Sequence, residues 1–296
     1  MEPFGVKAAL LATVVAVLLS WRAHRKKSLT VGGSAAAFGV GFLSIWTGVR
    51  GFNLLIFYQL GTTATKFKKD SKIKIDGTLA TTGSQARGPT QVLACSLIAV
   101  ILGLIHGIYC GKEGSIHFES NSTSKNLASS LTCGIVAHHA TCLADTLASE
   151  LGILAKSQPV LITQPWRQVP SGTNGGITLA GLFWSIVGGF IIGLSTLLLD
   201  FLAGITPLHI LPMLGFSSTC GLVGSLLDSL LGATIQQTYY DPDSKLVYQE
   251  EDKKPSSAKL LIGINALTNE QVNFVSVALA TAIGGWYLGP MFFSHS

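Results

Sequence analysis

Long apolar stretches recur along this 296-residue chain and constrain its fold more than any other feature. Each is close to the roughly 20 residues with which a helix crosses a bilayer. Charged residues make up only 12% of the chain, whereas a soluble domain carries about 25%. The apolar stretches cover residues 3–21, 31–48, 51–64, 91–110, 128–150, 177–205, 207–235 and 273–291.

The pattern predicts an all-α fold, a polytopic membrane bundle of about eight transmembrane helices, with seven to nine as the range. The helices account for most of the chain, so we expect one integral-membrane domain over residues 1–296. A hydrophilic loop is predicted at about residues 237–270.

Basic residues are concentrated in two connecting segments. Residues 22–30 carry four lysines and arginines, and residues 65–90 carry six of them against two aspartates. Basic loops remain on the cytosolic side of a membrane. Successive transmembrane helices cross in opposite directions. We therefore expect loops 153–176 and 236–272 on the cytosolic side as well, and loop 111–126 on the other side.

One apolar stretch carries a polar stripe. His138, Thr141, Asp145 and Ser149 follow at steps of three and four and share one face of a helix, with Glu150 to the side. An ionised carboxylate in hydrocarbon is costly, so such an acid marks a functional site by default. Two simpler explanations stay open, namely that Glu150 reaches the membrane interface and that His138 is a satisfied core histidine.

A second stretch, residues 216–236, repeats this pattern. Gly221, Ser225, Asp228 and Gly232 share one face. Small residues at helical spacing let membrane helices approach closely. We therefore expect Asp228 to face a neighbouring helix, at the same cytosolic end as Asp145.

A glycine-rich turn precedes the span that begins at residue 177. A helix N-terminus attracts anions, and Arg167 nearby offers two parallel donors to a phosphate. No GK[ST] follows, so the turn is not a P-loop, and a plain turn into a membrane helix remains the alternative. The predicted phosphate-binding residues of the turn are Gly172, Thr173, Asn174, Gly175 and Gly176.

Further polar groups fall on the same predicted side. Lys66, Lys69 and Arg87 suit an anionic ligand or a lipid headgroup, beyond their role in fixing orientation. Asn269 and Asn273 are one turn apart at the start of the last span. They are either an N-cap and a first-turn residue or amide ligands that complete a Mg²⁺ shell with the aspartates.

Seven segments, taken in this order, resemble the integral-membrane family of transmembrane protein 19, also called domain of unknown function 92. Its best-understood relatives are plant phytyl-phosphate kinases, which use a nucleoside triphosphate to convert an isoprenoid monophosphate into its diphosphate in tocopherol biosynthesis. The resemblance implies a multi-helix membrane kinase. The segments are RKKSLTVGGSAAAFGVGF, TKFKKD, ARGPTQVLA, LADTLASELG, VPSGTNGGITLAG, GSLLDSLLGA and NEQVNF.

The resemblance and the residue chemistry together assign roles. Phosphoryl transfer depends on charge neutralisation and positioning, and we expect Mg²⁺ with CTP or another nucleoside triphosphate as cofactors. The expected catalytic residues are Asp145, Asp228 and Arg167, and the expected metal ligands are Asp145, Glu150, Asp228 and Asn273. The expected phosphate-binding residues are Lys66, Lys69, Arg87, Ser149 and residues 172–176.

Two other functions stay open, a CTP-dependent lipid cytidylyltransferase and a membrane transporter. A transporter would place its acids near the bilayer midplane, whereas these acids lie toward span ends. The expected partners are a lipid phosphate, a nucleotide and membrane lipids, with no nucleic acid; the oligomeric state is left open. The first apolar stretch begins almost at Met1, which favours the endoplasmic reticulum or another endomembrane over the plastid envelope.

Overall fold

The computed structural model describes residues 1–82, 86–119, 122–206, 209–249 and 251–294. A 3₁₀ turn, Val49–Phe52, precedes the third helix, and a π-helical segment, Gly284–Leu288, joins the last two. The helices are α1 (Val6–Arg25), α2 (Val31–Thr47), α3 (Asn53–Lys66), α4 (Lys69–Ile73), α5 (Gly77–Thr82), α6 (Pro89–Ala94), α7 (Leu97–Tyr109), α8 (Thr123–Gly152), α9 (Leu179–Leu202), α10 (Ile210–Ile235), α11 (Asn269–Ile283) and α12 (Gly289–Phe293). The strands are β1 (Val160–Leu161), β2 (Gln164–Gln168), β3 (Gly176–Ile177), β4 (Thr238–Asp241), β5 (Leu246–Tyr248) and β6 (Lys259–Ile262).

The described part of the chain has five helical segments that are long and apolar enough to cross a membrane. They are α1, α8, α9, α10 and the run from α11 to α12. Helices α2 and α7 are apolar but shorter, and α3 has 14 residues. The predicted helical membrane fold is confirmed, while the count of about eight crossings stays a prediction.

Helix α8 forms the centre of the bundle. In its most apolar window 89% of the residues are buried, against 22% in α1 and 33% in α9. It packs against α3, α7, α9, α10 and α11. The outer helices instead expose leucine, phenylalanine and isoleucine side chains, as helices in contact with lipid do.

Small residues allow α8, α9 and α10 to approach closely. A Cβ atom added at Gly221 would lie 2.9 Å from the Cβ of Ala144 and from the carbonyl oxygen of Ser185. One at Gly188 would meet the backbone of Ala144, and one at Gly224 would meet the side chain of Thr141. The predicted small-residue face of α10 is therefore the face that packs against α8 and α9.

Two connections predicted as loops are folded into small sheets. Each is antiparallel and has three strands, in the order β2-β1-β3 and β5-β4-β6. The second sheet lies within the predicted hydrophilic loop at 237–270, so this segment is structured rather than a plain loop. Its short strands show no extended alternation of apolar residues, which explains why no strand is predicted there.

The two sheets belong to a repeated unit. In each unit a long helix is followed by a sheet whose first strand is central, and then by a helix capped by a threonine, Thr178 or Thr268. Both long helices carry the pattern L-x-S-x-L-G in their last turns, at residues 147–152 and 227–232. The order of elements and this pattern together indicate an internal duplication of α8–β3–α9 as α10–β6–α11.

Candidate functional site

Two aspartates from neighbouring helices form the centre of the site, and we call them the acidic pair. Asp145 lies on α8 and accepts a hydrogen bond from the Ser225 hydroxyl at 3.3 Å. Asp228 lies on α10 and accepts one from the Ser276 hydroxyl of α11 at 2.9 Å. Ser225 lies one turn before Asp228 on α10, so the two carboxylates share one helix interface, where like charges repel each other. Such a pair attracts a cation that offsets the repulsion.

The packing of α10 on α8 brings the acidic pair together. The Thr141 hydroxyl donates to the carbonyl oxygen of Cys220 at 3.2 Å, one turn before Asp145. His138 is buried, with its ring Nε2 3.1 Å from the carbonyl oxygen of Cys95. Two members of the predicted stripe, Thr141 and Asp145, therefore face α10. His138 belongs to the core, as the simpler explanation held.

Glu150 is not part of a metal-ligand group with the acidic pair. Its carboxylate lies 2.6 Å from the Nζ atom of Lys72. That ammonium also donates to the carbonyl oxygens of Ala64 at 2.7 Å and Thr65 at 3.3 Å. Within the described residues no group of three histidine, cysteine or acidic side chains is placed to hold a metal. Glu150 is the ion-pair partner of Lys72 in this structure, and its predicted role as a metal ligand stays a prediction.

Two other predicted residues, Ser149 and Asn273, make contacts other than a shared metal-ligand group. The Ser149 side chain is exposed, and its hydroxyl donates to the carbonyl oxygen of Thr146 at 3.2 Å. Asn273 is half-buried and lines an apolar cavity, while its carbonyl oxygen accepts from Ser276. Thr268 caps α11 through a capping box with Gln271, so Asn269 is not the N-cap.

The glycine-rich turn packs against the last turns of α10, which follow Asp228. A Cβ atom added at Gly175 would lie 2.7 Å from the carbonyl oxygen of Ser229, and one at Gly232 would lie 3.4 Å from the Cβ of Asn174. Gly175 has a φ of 72°, a conformation that favours glycine. The predicted turn and the predicted acid are therefore neighbours.

The polar groups of that turn contact the protein itself. The Thr173 hydroxyl donates to the carbonyl oxygen of Pro170 at 2.6 Å. The backbone and side-chain nitrogens of Asn174 donate to Thr238 and Gln237, each at 3.2 Å. Gly172 has a φ of 87°, and Gly176 begins β3. These bonds fasten the turn to β4, and phosphate binding there stays a prediction.

Arg167 lies on β2 and links the two sheets. Its Nη2 atom donates to the carbonyl oxygen of Leu261 on β6 at 3.4 Å. The side chain is half-buried. Its predicted role as a phosphate ligand stays a prediction.

The three predicted cations occupy different places. Arg87 is held by backbone pairing with Leu29, and its Nη2 atom donates to the Thr65 hydroxyl at 3.2 Å. Lys66 is exposed at the end of α3, and Lys69 is half-buried at the start of α4. The structure brings Arg87, but not Lys66, to the wall of the apolar cavity.

The apolar cavity lies between α1, α2, α3 and α6 and has a volume of about 140 Å³. Most of its lining is aliphatic or aromatic. Polar side chains at its wall include Arg87, Gln91, Thr146 and Asn273. Thr146 follows Asp145 in the chain, and Asn273 is one turn before Ser276, so the cavity adjoins the acidic pair.

A buried ion pair at another level of the bundle was not predicted. Arg50 is 1% exposed and forms two hydrogen bonds of 2.9 Å with Asp200 of α9. It also donates to the carbonyl oxygen of Gly114 at 2.8 Å. Each residue is an isolated charge beside apolar segments. That signal could have found them, because such a charge in a membrane needs a partner.

The fold and the site define a class: a polytopic helical membrane protein with an acidic pair beside an apolar cavity. The chain belongs to the family described as Integral membrane protein DUF92, which matches residues 14–281.

Similar proteins occur in a plant, an archaeon and a cyanobacterium. "Protein PGR" of Arabidopsis thaliana is 34% identical over 288 residues, which cover 94% of this chain and 96% of that protein. An uncharacterized membrane protein of Synechocystis is 30% identical over 72% of this chain and 74% of its own length. One of Methanocaldococcus jannaschii is 36% identical over 35% of this chain and 40% of its own. No solved structure matches the chain.

Proposed function

We propose that this protein is a membrane-embedded kinase that transfers a phosphoryl group from a nucleoside triphosphate to an isoprenoid monophosphate. The observation that carries the proposal is the apolar cavity, with Arg87 and Asn273 at its wall, next to the acidic pair. A lipid phosphate needs an apolar space for its chain and polar groups for its head, and this arrangement offers both.

In this proposal the isoprenoid monophosphate is bound by apolar side chains around its chain and by polar side chains around its phosphate. In this proposal its chain lies among the aliphatic side chains of α1, α2 and α3. The guanidinium of Arg87 binds the phosphate with charge-assisted hydrogen bonds, and the amide of Asn273 orients it. The fixed backbone of Arg87, whose amide donates to the carbonyl oxygen of Ser28 at 3.0 Å, makes that cation a firm anchor.

The acidic pair suits Mg²⁺. This ion is usually held by one or two carboxylates together with water and substrate phosphates, and Asp145 and Asp228 are two carboxylates on adjoining helices. The hydroxyls of Ser225 and Ser276 orient them. When bound, Mg²⁺ would neutralise charge on the donor phosphates. We assign the metal to Asp145 and Asp228 and leave Glu150 to Lys72.

The donor is proposed to be CTP or another nucleoside triphosphate. Arg167, Lys69 and the turn at 172–176 belong to the segments predicted to be cytosolic, from which a nucleotide arrives. The acceptor phosphate is itself a nucleophile, so no strong general base is required. The core position of His138 agrees with such a site. We place the protein in the endoplasmic reticulum or another endomembrane.

One assay tests the proposal. Purified protein in detergent would receive Mg²⁺, each nucleoside triphosphate in turn, and phytyl, geranylgeranyl or farnesyl monophosphate. We expect an isoprenoid diphosphate and a nucleoside diphosphate in equal amounts. Release of pyrophosphate with a nucleotidyl-lipid product would identify a cytidylyltransferase instead. If no acceptor is phosphorylated with any donor, the kinase proposal is wrong.

A further inference from the structure

Two cysteine side chains meet at the point where α6 ends. Cys95 directly follows α6, and Cys142 lies on α8, 47 positions further along the chain. The Sγ atom of Cys142 lies 3.6 Å from the carbonyl oxygen of Cys95, and the two thiols also form a hydrogen bond with each other. All five cysteines of the chain are free thiols in this structure. We call Cys95 and Cys142 the thiol pair.

The backbone at Cys95 lies between two helices. Cys95 and Ser96 separate α6 from α7, so Cys95 is not held in the interior of a helix. This break is fastened to α8, because the ring Nε2 atom of His138, one turn before Cys142, lies 3.1 Å from the same carbonyl oxygen. In a disulfide the sulfur atoms are about 2.05 Å apart. Thiols that already touch reach this distance through a small movement of the break.

The two members of the thiol pair differ in access. Cys95 is half-buried and lines the apolar cavity, whereas Cys142 is 4% exposed and is not among the described lining residues. A reagent in the cavity therefore meets Cys95 first. An accessible cysteine with a second cysteine beside it is the usual arrangement of a redox-sensitive pair, in which the second thiol resolves the oxidised first one.

We propose that Cys95 and Cys142 are a site of reversible disulfide formation, with a hydroperoxide that enters the apolar cavity as the oxidant. A hydroperoxide is small and uncharged, so it can enter a space whose lining is mostly aliphatic or aromatic. The proposal concerns modification of the chain itself, and it holds whether or not the protein transfers phosphoryl groups.

The reaction has two steps. In the first, the sulfur of Cys95 attacks the hydroperoxide, the O–O bond breaks, an alcohol leaves, and Cys95 becomes a sulfenic acid. In the second, the sulfur of Cys142 attacks the sulfur of Cys95, the S–O bond breaks, and water leaves with the proton of the Cys142 thiol. The two thiols together lose two electrons, and the oxygen atoms of the hydroperoxide accept them.

The disulfide would join the break after α6 to α8 beside the acidic pair. Cys142 lies one turn before Asp145 on α8. Helix α6 carries Gln91 and Val92, which line the apolar cavity. Oxidation would therefore fix the position of this wall relative to the helix that carries Asp145, and reduction would release it.

Packing alone is the simpler explanation of buried cysteines, because a free cysteine behaves as a small hydrophobic residue. Cys133 and Cys220 provide the comparison within the chain. They lie on α8 and α10, belong to one core cluster, and are 0% and 1% exposed. Neither is among the described residues of the cavity wall, so we expect both to stay reduced. Within the described part of the chain, the thiol pair also belongs to no group of three metal ligands.

The experiment treats the full chain in phosphatidylcholine nanodiscs with tert-butyl hydroperoxide. The protein is then denatured with N-ethylmaleimide present, and its peptides are mapped by mass spectrometry without reduction. We expect a disulfide between Cys95 and Cys142, loss of alkylation at these two residues, and recovery of alkylation after treatment with dithiothreitol. Cys133 and Cys220 should be alkylated throughout.

Three serine variants test the order of the two steps. In Cys142→Ser, Cys95 has no resolving thiol and should proceed to sulfinic acid. In Cys95→Ser, the cavity presents no thiol of the pair, and Cys142 should stay alkylatable. Cys133→Ser is the matched control, since it makes the same change elsewhere on α8 and should leave the disulfide unaffected. Thermal unfolding shows that each variant is folded.

Peptide mapping of the natural chain decides the proposal without any variant. The absence of a disulfide between Cys95 and Cys142 overturns it. So does equal oxidation of Cys133 and Cys220, which would indicate that the oxidant acts on unfolded protein. Oxidation of Cys142 in Cys95→Ser to the extent seen in the natural chain also overturns it, because Cys142 would then react without its partner.

Discussion

The guanidinium of Arg50 and the carboxylate of Asp200 meet through two hydrogen bonds of 2.9 Å, although the residues are 150 positions apart in the chain. This bidentate pair joins the turn between α2 and α3 to α9. The Glu113 carboxylate accepts from the Val49 amide at 2.6 Å beside it, so the connection after α7 is held at the same place. The pair fixes the relative position of three segments inside the bundle.

Removal of one partner of this pair should strongly destabilise the protein. In Arg50→Gln the carboxylate of Asp200 stays buried without its counter-charge, and we expect the free energy of unfolding to fall by about 3–5 kcal/mol. Thermal unfolding in detergent would measure the change. Glu119→Gln is the matched control, because it removes an ion pair with Lys125 that is exposed. Equal midpoints for both variants would contradict the prediction.

Loss of charge in the acidic pair should abolish activity without unfolding. Asp145→Asn and Asp228→Asn keep the side-chain shape and the bonds from Ser225 and Ser276, but they remove the charge proposed to attract Mg²⁺. We expect the turnover of isoprenoid monophosphate to fall by about 100-fold or more in each variant. Asp243→Asn, an exposed acid after β4, should leave turnover unchanged. Natural turnover in either site variant would show that its acid is structural.

Glu150 should matter for stability and not for transfer. Glu150→Gln leaves the ammonium of Lys72 with neutral partners, so we expect a loss of about 1–3 kcal/mol in the free energy of unfolding. Its turnover, measured below the unfolding temperature, should match that of the natural chain. Lys74→Met, a change of an exposed cation in the same segment, serves as the control for stability. If Glu150→Gln is stable but inactive, Glu150 acts in the transfer reaction and the prediction is wrong.

A side chain at Gly175 should displace the glycine-rich turn from α10. The residue has a φ of 72°, and an added Cβ atom would meet the Cβ of Ala233. Positive φ costs an alanine about 1–2 kcal/mol, and overpacking adds about 1–3 kcal/mol. Gly111→Ala isolates the first effect, since Gly111 has a φ of 75° and open space around its Cβ position. Equal unfolding midpoints for the two variants would show that the turn does not depend on this contact.

The proposed nucleotide-handling groups should lie on one side of the membrane. Asn121 begins the only Asn-x-Ser/Thr sequon of the chain and falls in the loop predicted to be outside; it lies beyond the residues that the structure describes. In cells, sequons engineered beside Lys69 and Arg167 should remain unmodified, and a sequon on an extended copy of the 111–126 loop should receive a glycan. Mobility on a denaturing gel, with and without glycosidase, reads out each case. A glycan beside Arg167 would contradict the shared cytosolic site.

Local periodicity was sufficient to predict the long helices and to predict that each of the two acids faces another helix. Asp145 and Asp228 lie on stripes of small and polar residues, and in a membrane such stripes face other helices. The sequence therefore predicted Asp228 in a helix interface at the same end of the bundle as Asp145. Their hydroxyl partners, Ser225 and Ser276, depend on which turn of one helix lies opposite which turn of its neighbour. That register depends on side-chain packing across the bundle, which a pattern in one helix does not contain.

Ion pairs between distant segments of the chain could not be predicted from local periodicity. Lys72 and Glu150 are 78 residues apart, and Arg50 finds Asp200 at a still larger separation. A charge count assigns Lys72 to a basic loop, and only the fold shows that its ammonium is buried under the end of α8. The two sheets were not predicted because their strands have only two to five residues. That is too few for an alternation of apolar and polar residues to be recognised.

The duplicated helix–sheet–helix unit gives the site an approximate symmetry. Asp145 and Ser225 each stand two residues before the repeated L-x-S-x-L-G pattern, so they occupy equivalent positions in the two units, and they contact each other. Equivalent positions that touch are the mark of a twofold interface between identical subunits. The contact therefore lies where a twofold axis relating the two units would pass, and it joins a carboxylate of one unit to the hydroxyl of the other.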